Sequence, residues 1–156
     1  MKKLAIIRIR GQIGLKKEIK DTLNLLRLYN QQYCVVVNNS PEFVGMLKKV
    51  KDYVTWGEIN EETFKELLKT RGRLSLKNKL TEEYLKGKLN LSYDDFTKEF
   101  FAFKKSLKDI PGMKLFFKLR PPSRGYERKG IKTPFSLGGA LGYRKDNVND
   151  LIKRML

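Results

Sequence analysis

The chain has 156 residues, 40% of them hydrophobic, enough for one domain or a small domain with an appendage. Its 34 Lys and Arg against 17 Asp and Glu leave a net charge of +17, which implies a polyanionic partner, nucleic acid before an anionic membrane. The absence of histidine excludes His triads and His metal sites, the single Cys34 excludes an intrachain disulfide, and no apolar run is long enough to span a bilayer.

Leu4 to Arg10 alternates Ile7 and Ile9 with Arg8 and Arg10, which predicts a strand with one face toward a core. The arginines interrupt the apolar stretch too soon for a signal peptide, so a cytoplasmic location is expected. Gly11 and Gly14 mark a turn, and the stripe Ile19, Leu23, Leu26 predicts a helix over Lys16 to Tyr29. Tyr33 to Val37 reads as a second strand, in which Cys34 is expected as a small buried hydrophobe. Ser40-Pro41-Glu42 has the cap, first-turn proline and acid of a helix start, and Tyr53 to Trp56 reads as a third strand. Asn60 is placed to cap a third helix with Phe64, Leu67 and Leu68 inward. This βαβαβα order predicts helices on one face of a small sheet.

Past Arg71-Gly72-Arg73 the character changes. Thr81 and Ser92 are placed to cap two short helices. Phe96, Phe100 and Phe103 share one helical face there and are read as core rather than as a base-stacking platform. Pro111-Gly112 ends this region, Met113 to Leu119 predicts a fourth strand, and Asp146 is placed to cap a terminal helix burying Val148, Leu151, Ile152 and Met155.

The most informative stretch is Lys118 to Thr133. Lys118, Arg120, Arg124, Arg128, Lys129 and Lys132 stand against one anion, Glu127, while Pro121, Pro122, Gly125 and Gly130 forbid a regular helix. Like charges repel and no apolar period supplies a core face, so disorder is expected in the free protein. Threaded by RNA, the cations meet phosphates and Tyr126 is a candidate stacker; the plain alternative is a solvated loop. Residues 111–156 carry 11 Lys and Arg against 3 Asp and Glu, the steepest imbalance in the chain.

Other motifs carry less. Arg10-Gly-Gln-Ile-Gly14 lacks the third glycine of a dinucleotide fingerprint and the Gly-Lys-Ser/Thr of a P-loop; it reads as a turn whose amides and Arg10 meet an RNA phosphate. Gly138-Gly139 reads as a close approach to a partner or as a flexible turn. Glu58, Glu61 and Glu62 suggest acid–base chemistry, but the helix dipole accounts for the last two. No metal-ligand spacing appears, no cofactor is implied, and the Pro- and Gly-broken basic segment is unlike a membrane-surface helix.

Taken in order, Arg8-Ile-Arg-Gly11, Asp21-Thr-Leu-Asn-Leu-Leu-Arg-Leu28, Cys34-Val-Val-Val37, Gly45-Met-Leu-Lys-Lys-Val-Lys-Asp-Tyr-Val54, Trp56-Gly-Glu58, Arg120-Pro-Pro-Ser-Arg-Gly125 and Gly138-Gly-Ala-Leu-Gly142 resemble the large-subunit ribosomal protein family L-thirty. The likeness is to its long archaeal form, whose eukaryotic counterpart is protein L-seven, and it covers essentially the whole chain. It departs from the family's usual pattern at Tyr29 to Tyr33, at Val44 and at Arg120. The resemblance implies an α+β fold, a small βαβαβ core over 1–60 with an antiparallel sheet and some likeness to ferredoxin-like domains. Residues 61–156 would form the long-form extension: helices, a strand near 113–119, a basic Pro/Gly loop over 120–145 and a terminal helix.

The resemblance also implies a non-catalytic role in the cytoplasmic ribosome: binding large-subunit ribosomal RNA beside neighbouring ribosomal proteins and stabilising the assembled subunit. Arg8, Arg10, Lys16 and Lys17 are the expected contacts to one RNA segment. Lys118, Arg120, Arg124, Arg128, Lys129 and Lys132 would meet a second, with Arg144 and Lys145 behind them, and Tyr126 and Tyr143 as stackers or packing residues. The alternatives are an RNA chaperone acting outside the ribosome and, more remotely, an enzyme acting on RNA.

Overall fold

The computed structural model describes residues 2–75 and 77–156. Five strands form one mixed sheet in the order β4-β2-β1-β3-β5: β1 Lys3–Arg8, β2 Tyr33–Asn38, β3 Val54–Glu58, β4 Phe117–Lys118 and β5 Gly142–Tyr143. Three pairings are antiparallel, with Ile6 facing both Val35 and Trp56. The sheet of the 1–60 core is antiparallel as expected; at the edge added by the later residues β5 runs parallel to β3. The chain reaches β5 only after a long excursion, and a long connection permits a parallel return.

Among the described residues, six helices surround the sheet: α1 Lys17–Leu25, α2 Pro41–Val50, α3 Glu61–Arg71, α4 Glu82–Leu89, α5 Tyr93–Phe101 and α6 Val148–Met155. They cover both faces, not one. Leu4, Ile6 and Val35 pack with Leu23 and Leu47 of α1 and α2. Ala5, Ile7, Cys34 and Val36 pack with Phe64, Phe96, Phe100 and Leu151 of α3, α5 and α6. All six residues of β1 are therefore buried, and the alternation that predicted one solvated face is misleading. Burial pushes the Cys34 thiol up to about 12, so it stays protonated.

The helix starts follow local chemistry. The side chains of Ser40, Asn60, Thr81 and Ser92 each accept a backbone N–H three residues on. Asp146 does not cap α6. Asn147 occupies the cap position without a side-chain bond, because residues 145–147 already form a 3-10 turn leading into the helix. Asn149 ties that turn to β3, its Nδ2 donating to the carbonyls of Asp146 (2.8 Å) and Glu58 (3.0 Å). The helix predicted to reach Tyr29 ends at Leu25, where Arg27 turns left-handed (φ 60°) and Leu28 N–H returns to Leu23 C=O at 2.9 Å.

The aromatic cluster is core at Phe96 and Phe100, with the Phe100 ring stacked on Phe64 at 4.3 Å. Phe103 leaves that face, because α5 stops at Phe101 and Phe103 itself takes φ 60°. The fourth strand is two residues long, not seven. Upstream of it the chain turns away, with Lys114 N–H held by Arg73 C=O at 2.9 Å and Met113 buried in the helical core.

Candidate nucleic-acid interface

The basic segment is built around its one anion. Glu127 accepts from both terminal nitrogens of Arg144 (2.6 and 3.3 Å), a two-point pairing that fixes orientation as well as charge. Arg144 is 1% exposed, donates through Nε to Thr55 Oγ1 at 2.8 Å and through Nη2 to Ala140 C=O at 2.7 Å, and lies over the Phe135 ring. Its pairing ties the loop to β3. Arg154 of α6 also reaches Glu127, at 3.6 Å, and donates to Gly125 C=O at 3.0 Å. The end of α6 takes further loop amides, since Arg120 N–H and Ser123 N–H donate to the carbonyls of Met155 and Arg154.

The segment also has a small core of its own. Tyr126 and Ile131 pack on Ile9, Ala140 and Leu141. Ala140 N–H bonds Gly130 C=O at 3.1 Å, and Lys129 N–H bonds Gly138 C=O at 3.2 Å. This corrects the expectation that the segment lacks a core face. The apolar partner, Ile9, is more than a hundred residues away in sequence, so no local period could reveal it. Gly139 does approach backbone closely, but that backbone is the chain's own: a Cβ there would stand 2.0 Å from the Thr133 carbonyl oxygen.

Against this frame the expected RNA contacts divide. Arg8 and Arg144 are corrected to structural roles, because both are buried with their donors engaged inside the protein. Arg8 donates to the carbonyls of Leu28 (2.7 Å), Tyr29 (3.0 Å), Arg10 (3.0 Å) and Gly11 (3.1 Å), which shapes the turn after β1. Burial lowers its pKa, the carbonyl dipoles taking the place of an anion. Tyr126 is a packing residue: its ring touches two core clusters and its hydroxyl is buried without a described hydrogen-bond partner. Tyr143 is 45% exposed, with its hydroxyl donating to Glu58 at 3.1 Å.

The remaining cations face outward. Lys16, Lys17, Lys118, Arg120, Arg124, Arg128, Lys129, Lys132 and Lys145 are exposed. Arg10 is half-buried, donating to Asp52 C=O at 3.2 Å with its guanidinium over the Tyr53 ring. Because Ile9 joins the small core under Tyr126 and Ile131, the first turn and the basic loop border one another. At the loop's other end Arg120 lies near Arg71, whose Nη2 donates to Leu156 C=O. Arg71 has its pKa lowered by burial first, then by the charges of Arg120 and Arg73. The doublet Arg71-Gly72-Arg73 was the available signal, since clustered arginines beside a glycine present two guanidinium groups with little bulk between them.

Such a surface of outward-facing guanidinium and ammonium groups suits phosphate contacts. The comparisons agree with that chemistry. The sequence profile of ribosomal protein L30p/L7e matches residues 4–54. The large ribosomal subunit protein uL30 of Nanoarchaeum equitans is 49% identical over 152 residues, covering 97% of each chain. The chain belongs to the L30p/L7e family. Large ribosomal subunit protein uL30 of Methanopyrus kandleri is 45% identical over 95% of this chain and 100% of its own length. That of Methanococcus vannielii is 47% identical over 97% and 98%. The profile ends at Val54, so the basic loop is matched through these family members, whose alignments run nearly the whole length.

Proposed function

We propose that this chain is a structural constituent of the large ribosomal subunit that binds ribosomal RNA and helps hold the assembled subunit together. The observation that carries this reading is the near-complete match to family members named as large-subunit proteins. The division at about residue 60 belongs to the same reading, with 1–60 as the family core and 61–156 as an extension packed onto it. The role is binding without catalysis, beside neighbouring large-subunit proteins in the cytoplasmic ribosome.

The structure supports a division of labour among the cations. Arg10, Lys16, Lys17, Lys118, Arg120, Arg124, Arg128, Lys129, Lys132 and Lys145 face the RNA. Arg8, Arg144 and Glu127 hold the two loops in the shape that presents them. Phosphate contacts of this kind position the protein and carry little base specificity. The test is the salt dependence of binding to large-subunit ribosomal RNA. Neutralising Arg124, Arg128, Lys129 and Lys132 together is expected to flatten the log–log salt slope by about one unit per lost contact. An unchanged slope would remove the loop from the interface.

A further inference from the structure

Away from the basic loop, a cavity of about 600 Å3 is lined by consecutive residues of one strand, Val35, Val36, Val37 and Asn38. Successive side chains of a strand point to opposite faces, so four in a row can line one cavity only where it runs along the strand's edge. That edge is the side of β2 facing β4. β4 pairs with β2 only at Tyr33 and Cys34, and among the described residues nothing continues the pairing. A strand as long as the one predicted over 113–119 would have covered Val36 and Asn38. The turn at Lys114 leaves both without a strand partner on that side.

The hydrogen-bond parity identifies the bare groups. Leu119 N–H donates to Gln32 C=O on the β4 side, and Asn39 N–H donates to Lys2 C=O on the β1 side. Alternation then turns the N–H and C=O of Val36 and the N–H of Asn38 outward into the cavity. One wall is formed by Leu25 and Phe43 on the first helical layer, the other by Phe103 and Leu107 on the second. Leu25 (75% exposed) and Phe103 (39% exposed) stand uncovered at the mouth. Arg27, Lys104 and Lys108 surround it, and the one acid in the lining, Asp109, is engaged by Ser106 N–H at 2.6 Å.

We propose that this slot receives an extended acidic segment of another polypeptide, which adds a strand to the bare edge of β2 beyond β4. Main-chain bonds to Val36 and Asn38 set its register, its alternate side chains cover Leu25 and Phe103, and its carboxylates meet the cationic rim. A second copy of this chain is opposed by the +17 charge each carries. Nucleic acid would satisfy the rim but leaves the strand's N–H and C=O groups and the apolar walls unmatched. The proposal goes beyond the ribosomal reading and does not rest on it.

The test is amide NMR of the full 15N-labelled chain titrated with an acetylated Glu-Val repeat octapeptide, with a Lys-Val octapeptide and oligouridylate as counterparts. Saturable shifts at the Val36 and Asn38 amides are expected with the acidic peptide alone, at a Kd on the order of 1 mM or tighter. Hydrogen exchange at those two amides should slow with saturation. The double variant Lys104→Glu/Lys108→Glu, altered only at exposed positions, should keep its fold and weaken binding about tenfold. No shift at the two amides at millimolar peptide would overturn the proposal. So would equal binding by the double variant, or shifts at these amides caused by oligouridylate and not by the peptide.

Discussion

Replacing Glu127 with Gln tests whether the basic loop is held by a buried charge pair. The substitution keeps the shape of the side chain and removes its charge. It leaves the Arg144 guanidinium, 1% exposed, facing a neutral amide in a site that excludes water. Removing one partner of a buried pair costs about 3–5 kcal/mol, because the other charge stays desolvated and uncompensated. Glu127 is itself 19% exposed and Arg144 keeps its bonds to Thr55 and Ala140, so the low end, about 3 kcal/mol, is expected. Urea unfolding gives the loss directly, and amide exchange at Gly130 and Ala140 shows whether the loop loosens first. The double variant Glu127→Gln/Arg144→Met should regain part of the loss, since it leaves no unpaired charge. A loss below about 1 kcal/mol for Glu127→Gln would refute the reasoning and make the pair an ordinary surface contact.

Other perturbations follow from the same geometry. Lys3 is 5% exposed, with its ammonium 4.0 Å above the Phe100 ring, and desolvation lowers its pKa to about 8. Between pH 8 and 10.5 the unfolded chain holds a proton the folded one has released, so stability should rise with pH across that window. Lys3→Met should flatten this rise and stabilise the protein at pH 7 by up to about 3 kcal/mol, measured as the wild-type-minus-variant difference in urea unfolding at each pH. Gly139→Ala places a methyl 2.0 Å from the Thr133 oxygen and should cost about 2 kcal/mol or more, with faster exchange at Leu141. Gly45→Ala in α2, where a Cβ meets nothing within 4 Å, should instead stabilise by about 0.5–1 kcal/mol, read from the same unfolding curves.

Much of the fold is legible where its causes are local. The caps Ser40, Asn60, Thr81 and Ser92 sit where the sequence places them, because a hydroxyl or amide before an amphipathic stretch has one efficient use. The family resemblance, carried by short ordered motifs, leads to the family the comparisons show. What the sequence hides depends on distant partners. Arg8 and Arg144 look like surface cations, yet carbonyls gathered from separate turns, and for Arg144 the loop's own Glu127, make burial tolerable. The short β4 depends on a backbone bond from Lys114 to Arg73 that no propensity encodes. The loop's small core needs Ile9, so it becomes visible only once the chain is folded.

The central claim is residence in the large subunit through RNA contacts. It is tested most directly by sedimenting a tagged copy from native lysate and probing each gradient fraction for the tag and for ribosomal RNA. Co-migration with large subunits that survives moderate salt is the predicted result, because the proposed contacts are many and the loops that would make them are tied to the core. A tag found only at the top of the gradient, or stripped by slight salt, would contradict it and point to an RNA-binding protein working outside the ribosome.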